Sequence, residues 1–136
     1  MAITSDRTST PPAPGRGRPI PFSVETTTLS GAPCVCARGE LDVATVPALA
    51  EALEQLIRDS AGVLVVDLCD VDFLDSTGIN VLLRARALLG RGDRELLLTC
   101  PPGPARHILE LTGVADLFAI ADSRDSAAAS LLPRSA

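Results

Sequence analysis

The run Val63-Leu64-Val65-Val66 limits this 136-residue chain more than any other feature. It is too short for a helix, rich in β-branched residues, and has no polar side to offer to solvent. It therefore predicts a central strand covered on both faces. A strand of that kind belongs to an α/β sheet, and the flanking segments agree. Phe22–Leu29 and Ala32–Arg38 read as two short strands joined by a Ser30-Gly31 turn. Val46, Leu49, Ala50, Leu53, Leu56 and Ile57 recur at helical spacing, with Thr45 as the expected cap and Pro47 in the first turn.

The same alternation continues to the end of the chain. Ser76 precedes a helical pattern from Thr77 to Leu89 that ends at Gly90, so the serine is the expected N-cap. Glu95–Thr99 reads as a strand, Pro101–Pro104 as a break, and Ala105, Ile108, Leu109 and Thr112 as a third helix stopped by Gly113. Leu117–Ala121 is the last expected strand and Ser126–Leu132 a terminal helix. The expected fold is a single α/β domain: a central mixed, mainly parallel sheet of about five strands with helices packed on it. Residues 1–19, with Pro11, Pro12, Pro14 and Pro19 and almost nothing apolar to bury, are expected to form a disordered tail ahead of a domain spanning 20–136.

Composition removes whole classes of function. Aromatic residues are 2% of the chain, with no Trp or Tyr, so the core must be aliphatic and base-stacking platforms for single-stranded nucleic acid are missing. The net charge of −5 also argues against a nucleic-acid partner. Every basic residue is Arg, which excludes Schiff-base and P-loop lysines. No apolar run approaches the ~18 residues that span a bilayer, and residues 1–19 lack a secretion signal, so the expectation is a cytoplasmic protein with no membrane partner. Cys34, Cys36, Cys69 and Cys100 contain no C-x-x-C pair and read as buried, reduced thiols rather than metal ligands.

The informative segment is Asp67–Gly78, expected as the loop leaving the central strand at the sheet end where α/β proteins gather their ligands. Within it Asp70, Asp72 and Asp75 surround Ser76, while Phe73 and Leu74 are expected to pin the loop to the core. A hydrolase reading fails: the G-x-S-x-G elbow is missing, and His107, the lone histidine, has no supporting pattern. Asp75-Ser76-Thr77-Gly78 has one residue too many for an aspartic-protease motif, and the three acids lack the D-x-D-x-D-G pattern of a cation loop. No catalytic or metal-binding residue is assigned. What remains is a serine hydroxyl at a helix start, where an added phosphate meets backbone N–H groups and the positive end of the helix dipole. Beside Asp72 and Asp75 such a phosphate makes a dense anionic spot that repels a partner matched to the unmodified surface.

At these residues the chain resembles the STAS domain family, and within it the bacterial anti-sigma factor antagonists. The likeness rests on Gly39-Glu40-Leu41-Asp42, on Val65–Leu68 running into Val71–Gly78, and on Leu111–Phe118, and it spans about residues 22–132. It implies partner switching: the unphosphorylated protein binds an anti-sigma factor that is also a serine kinase, and so frees a sigma factor. Transcription changes without contact with DNA. Carried onto this chain, the resemblance makes Ser76 the phosphoacceptor, reset by a phosphatase. It makes Asp75, Thr77 and Gly78, with Gly39, Glu40 and Asp42 on the adjacent loop, the partner-binding surface. ATP and Mg²⁺ belong to the kinase, and no cofactor of its own is expected. Two departures stand out: Asn80 replaces the small residue usual in the family, on the helix face near the site where it bears on partner choice, and the N-terminal segment is longer than usual. The alternative keeps the fold without the switch, as a ligand-binding or scaffold subunit, for instance a nucleotide-binding accessory protein or a component of a stress-sensing assembly.

Deleting residues 1–19 removes polar, Pro-rich chain with little to bury, so the melting temperature should move by no more than about 2 °C by calorimetry. A larger drop would show that this segment packs on the domain.

Overall fold

The computed structural model describes residues 21–132, so the tail expected at residues 1–19 lies outside the described residues. Strands β1 (Ser23–Leu29) and β2 (Ala32–Leu41) form a hairpin. Its two turn residues, Ser30 and Gly31, both have positive φ, 50° and 85°, the turn whose twist matches that of the strands. Then follow α1 (Val46–Asp59), β3 (Leu64–Leu74), α2 (Ser76–Gly90), β4 (Leu96–Thr99), α3 (Pro104–Leu111), a 3₁₀ turn at Val114–Leu117, β5 (Ala119–Ala121) and α4 (Arg124–Leu131). The strands lie in the order β1-β2-β3-β4-β5, antiparallel between β1 and β2 and parallel thereafter. This is the mixed, mainly parallel five-stranded sheet expected from the sequence.

Strand β3 is central and alternates. Leu64, Val66 and Leu68 enter the main core with Leu49 and Leu53 of α1, Leu82, Ala85 and Leu89 of α2, and Leu109 of α3. Val65 and Asp67 face the other way, alongside Cys34 and Cys36 of β2, their register partners. That second face is covered by α4, whose Ala127 is fully buried. Phe118 is the only aromatic side chain among the buried residues, so the core is aliphatic.

The structure corrects several expectations. Asp67–Leu74 is not a loop but the second half of β3. Its acids are tolerated in a strand because they are neutralised: Asp67, 5% exposed, accepts from Arg124 Nε at 2.6 Å and from Cys69 N at 2.9 Å, and Asp70 accepts from Arg124 at 3.0 Å. Register shifts between Cys36 and Arg38 and between Gly39 and Glu40 let β2 follow β3 to its end. Leu117 belongs to the 3₁₀ turn rather than to β5, because Gly113 reverses the chain at φ 79° and only the buried Phe118 leads back to the sheet. Helix α4 starts two residues earlier than expected, since Ser123 and Ser126 form a reciprocal capping box. Thr45 precedes α1 but does not cap it; its hydroxyl donates to Glu40 O and accepts from Asp42 N. Of the four thiols, Cys34 and Cys100 are buried and pushed up to about 12 and about 11, chiefly by burial, whereas Cys36 and Cys69 are only half-buried.

Arg124 therefore holds α4 to the sheet. Burial pushes the Asp67 carboxyl up, but the hydrogen bonds from Arg124 and Cys69 outweigh it and hold the group below its usual range. A carboxyl depressed in the folded state stabilises the protein above its unfolded value and loses that contribution as pH falls through the folded one. Arg124→Ala should thus destabilise the domain by about 1–3 kcal/mol at neutral pH, less than for a fully buried pair because Arg124 is half exposed. In urea melts the deficit should narrow only at acid pH below the ordinary carboxylate range, as folded Asp67 takes up its proton.

Candidate functional site

Parallel pairing of β2 and β3 carries two short segments to the same end of the sheet. Leu41 lies opposite Leu74, Glu40 opposite Phe73, and Asp75 N donates to Leu41 O at 3.1 Å. Gly39, Glu40 and Asp42 are thereby brought beside Asp75, Ser76, Thr77 and Gly78. Asn80 lies one helical turn beyond Ser76 on the exposed side of α2. All the residues expected from the sequence gather here, but they contribute in different ways. Gly39 and Gly78 are buried and shape the backbone, while Glu40, Ser76 and Asn80 are exposed. Asp42 is half-buried; its carboxylate accepts from Ala44 N at 3.0 Å and from Thr45 N at 3.2 Å, which folds the loop into α1.

The cap of α2 is Asp75, not Ser76. An aspartate in extended backbone can turn its carboxylate back onto the first turn, and this one accepts from Thr77 N at 2.9 Å and Gly78 N at 3.3 Å. The Thr77 hydroxyl also donates to Asp75 Oδ1. That hydroxyl, followed by the Gly78 and Thr77 N–H groups, holds the Asp75 carboxyl below its ordinary value and keeps it anionic. Ser76 is the first helical residue, exposed, and no hydrogen bond ties its Oγ to another described residue. The two neighbouring hydroxyls therefore differ: Thr77 is engaged and Ser76 is free. The N–H groups that an added phosphate was expected to meet are already taken by Asp75.

Two apolar side chains at this end are exposed, Phe73 against expectation and Val43 without any sequence signal. Phe73 does not anchor the segment: it is 40% exposed, while the adjacent Leu74 is buried. Val43, at the tip of the loop between β2 and α1, is 73% exposed. Strict alternation along a longer β3 would have turned Phe73 outward, but that required knowing where the strand ends. The acids do not converge on a shared centre. Asp70 is engaged by Arg124 and lies 3.7 Å from Arg38, Asp75 is spent on the helix cap, and Asp72 is half-buried with one carboxylate oxygen unpartnered among the described residues. His107 lines a separate cleft on α3 with Pro102, Gly103, Arg106, Glu110 and Asp122. That leaves Ser76 without a base of the triad kind.

The chain as a whole is similar to known proteins. A sequence profile of the STAS domain matches residues 23–127. An anti-sigma-B factor antagonist of Staphylococcus aureus is 34% identical over 97 residues, 71% of this chain and 90% of that protein. The crystal structure of an anti-sigma factor antagonist from Mycobacterium paratuberculosis superposes with a TM-score of 0.74 at 28% identity, covering 82% of this chain and 94% of that one. The anti-sigma factor antagonist SpoIIAA, described as a Bacillus cell fate determinant, shares the fold at 18% identity in its unphosphorylated and phosphorylated forms. Their TM-scores are 0.61 and 0.59, with 81% of this chain covered in each case and 96% and 99% of the SpoIIAA chains.

Gly78 sets how closely α2 approaches β2. A Cβ there would lie 3.2 Å from Leu41 Cβ and 3.3 Å from Leu74 Cβ, and both leucines are fully packed. Gly78→Val should therefore destabilise the domain by about 1–3 kcal/mol in denaturant melts. If it melts like the parent, the helix start is not clamped in this way.

Proposed function

The chain belongs to the STAS domain family, and from that premise we propose that it is an anti-sigma factor antagonist whose unphosphorylated form binds an anti-sigma factor with serine kinase activity. Binding releases a sigma factor, phosphorylation of Ser76 ends the binding, and a phosphatase restores it. The observation that carries this reading is the contrast of hydroxyls at the start of α2: Ser76 is exposed and free while Thr77 is held by Asp75. The names of the relatives support the choice of partner.

The chemistry asks little of this protein. Ser76 Oγ attacks the γ-phosphorus of an ATP bound by the kinase, ADP leaves, and the serine proton passes to a base on the kinase. The chain supplies an accessible nucleophile on a rigid helix start. A phosphoserine adds roughly −1.5 to −2 charges at neutral pH. It does so next to the ionised Asp75, whose cap already occupies the N–H groups of Thr77 and Gly78. The phosphate therefore stays on the surface, leaves the cap in place and changes the interface. Glu40, Asp42, Val43, Phe73 and Asn80 surround the same end and make the contact surface, an apolar pair within an acidic rim.

Ser76→Ala should bind the anti-sigma factor as the parent does and take up no phosphate from kinase and ATP, as read by mass spectrometry. Phosphate transferred to Thr77 instead would sink the assignment. In the same titrations Asp42→Asn and Asp75→Asn, the latter keeping a capping oxygen, should weaken the complex roughly tenfold, while Asp125→Asn on α4 leaves it unchanged. Equal affinities throughout would move the interface elsewhere and favour a scaffold role.

A further inference from the structure

Strand β1 is an open edge of the sheet. Among the described residues it pairs only with β2, and Glu25, Thr26, Thr27 and Thr28 are exposed. The opposite edge, β5, is three residues long, and α4 packs against it. Exposed edges are normally blunted by lysine, proline, a bulge or shortness. Here the seven residues Ser-Val-Glu-Thr-Thr-Thr-Leu contain neither lysine nor proline, and their register with β2 runs without a shift. One charge, Glu25, is all that interrupts a β-branched strand.

The hairpin dictates which backbone groups are free. A two-residue turn closes on a hydrogen-bonded pair, here Leu29 with Ala32, and antiparallel pairing alternates from there. Leu29, Thr27, Glu25 and Ser23 thus turn their N–H and C=O groups toward β2. Thr28, Thr26 and Val24 turn theirs outward.

We infer that β1 pairs antiparallel with β1 of a second copy of this chain, joining two five-stranded sheets into one ten-stranded sheet. The register follows from the strand itself. Thr26 is the middle residue of Ser23–Leu29, so a two-fold axis at Thr26 lets every residue of the strand find a partner. It sets Thr26 against its own copy and Val24 against Thr28, which places every outward N–H and C=O opposite a complement. It also sets Glu25 against Thr27 of the other copy. Moving the axis to Glu25 would oppose two carboxylates directly, which disfavours that register. The shared edge lies on the far side of β2 from β3, so the Ser76 end stays open in the pair.

The register makes a test that other modes of association fail. Thr27 is exposed, so its substitutions spare the core. In sedimentation equilibrium over a range of protein concentrations, Thr27→Glu should weaken the dimer roughly tenfold by opposing Glu25 twice, and Thr27→Lys should tighten it several-fold. In the parent protein, amide exchange at Val24, Thr26 and Thr28 should slow as concentration rises, while exchange at Thr27 and Leu29 stays constant. A chain that remains monomeric at millimolar concentration, a dimer indifferent to both substitutions, or exchange independent of concentration would each overturn the inference. The first would leave the edge to an extended segment of another protein.

Discussion

The Ser76 end depends on the register in which β2 and β3 leave the sheet together. One backbone hydrogen bond, from Asp75 N to Leu41 O, closes that register just past the strand ends, and the fully packed Leu41 and Leu74 hold it. Gly78 then lets α2 begin directly on Leu41, where a larger residue would stand it off. With the helix start fixed on two sides, Asp75 has no choice but to cap, Thr77 is drawn to it, and Ser76 is left facing outward. The free hydroxyl follows from close packing beneath it rather than from any interaction of its own.

Charge is distributed by the same logic. The chain has no lysine, so each structural cation is a planar guanidinium able to serve two acceptors at once. Arg124 bridges Asp67 and Asp70, Arg106 bridges Glu110 and Asp122, and Arg94 ties Ile57 O, Gly62 O and Ser60 at the end of α1. Arg124 holds a helix to a strand, while Arg106 and Arg94 join helices to neighbouring loops. At the Ser76 end the pattern reverses: among the described residues, no ion pair involves Glu40, Asp42, Asp72 or Asp75. Their negative potential is left unneutralised at the surface, and a phosphate placed there adds to it. An acid deep in a strand needs an arginine to be tolerated, whereas an acid at a helix start is stabilised by N–H groups and can remain uncompensated.

The two ends of the sheet's architecture are therefore specialised differently. Along β3, Asp67 and Asp70 are fasteners held by Arg124 of α4; from Asp72 onward the polar residues are display groups. Along β1, α1 packs on part of one face, but among the described residues nothing pairs with the outer edge, where Thr26 and Thr28 turn their backbone groups outward. A small domain of this kind has three surfaces of different physics on one sheet: a sealed face, an acidic end and a bare edge.

Much of this was legible in the sequence, for identifiable reasons. The apolar run at Val63–Val66, the helical spacing of Val46–Ile57 and the Ser30-Gly31 turn are local signals, and each produced its element where expected. The cluster around Ser76 was legible because the residues themselves are contiguous, and Gly39–Asp42 could be joined to it only through resemblance. What the sequence could not carry was anything set by a partner distant along the chain. Asp67–Leu74 looks like a loop until Arg124, more than fifty residues away, neutralises it as a strand. Ser76 looks like a cap until backbone geometry shows Asp75 extended and turned inward. Phe73 looks like an anchor until the length of β3 decides which way it points. Local propensity determined which segments are strands and helices; only the tertiary structure decided which polar groups are spent inside and which are left outside. A carboxylate or a hydroxyl has the same chemistry everywhere, and its role is set by whichever donor the fold brings within about 3 Å.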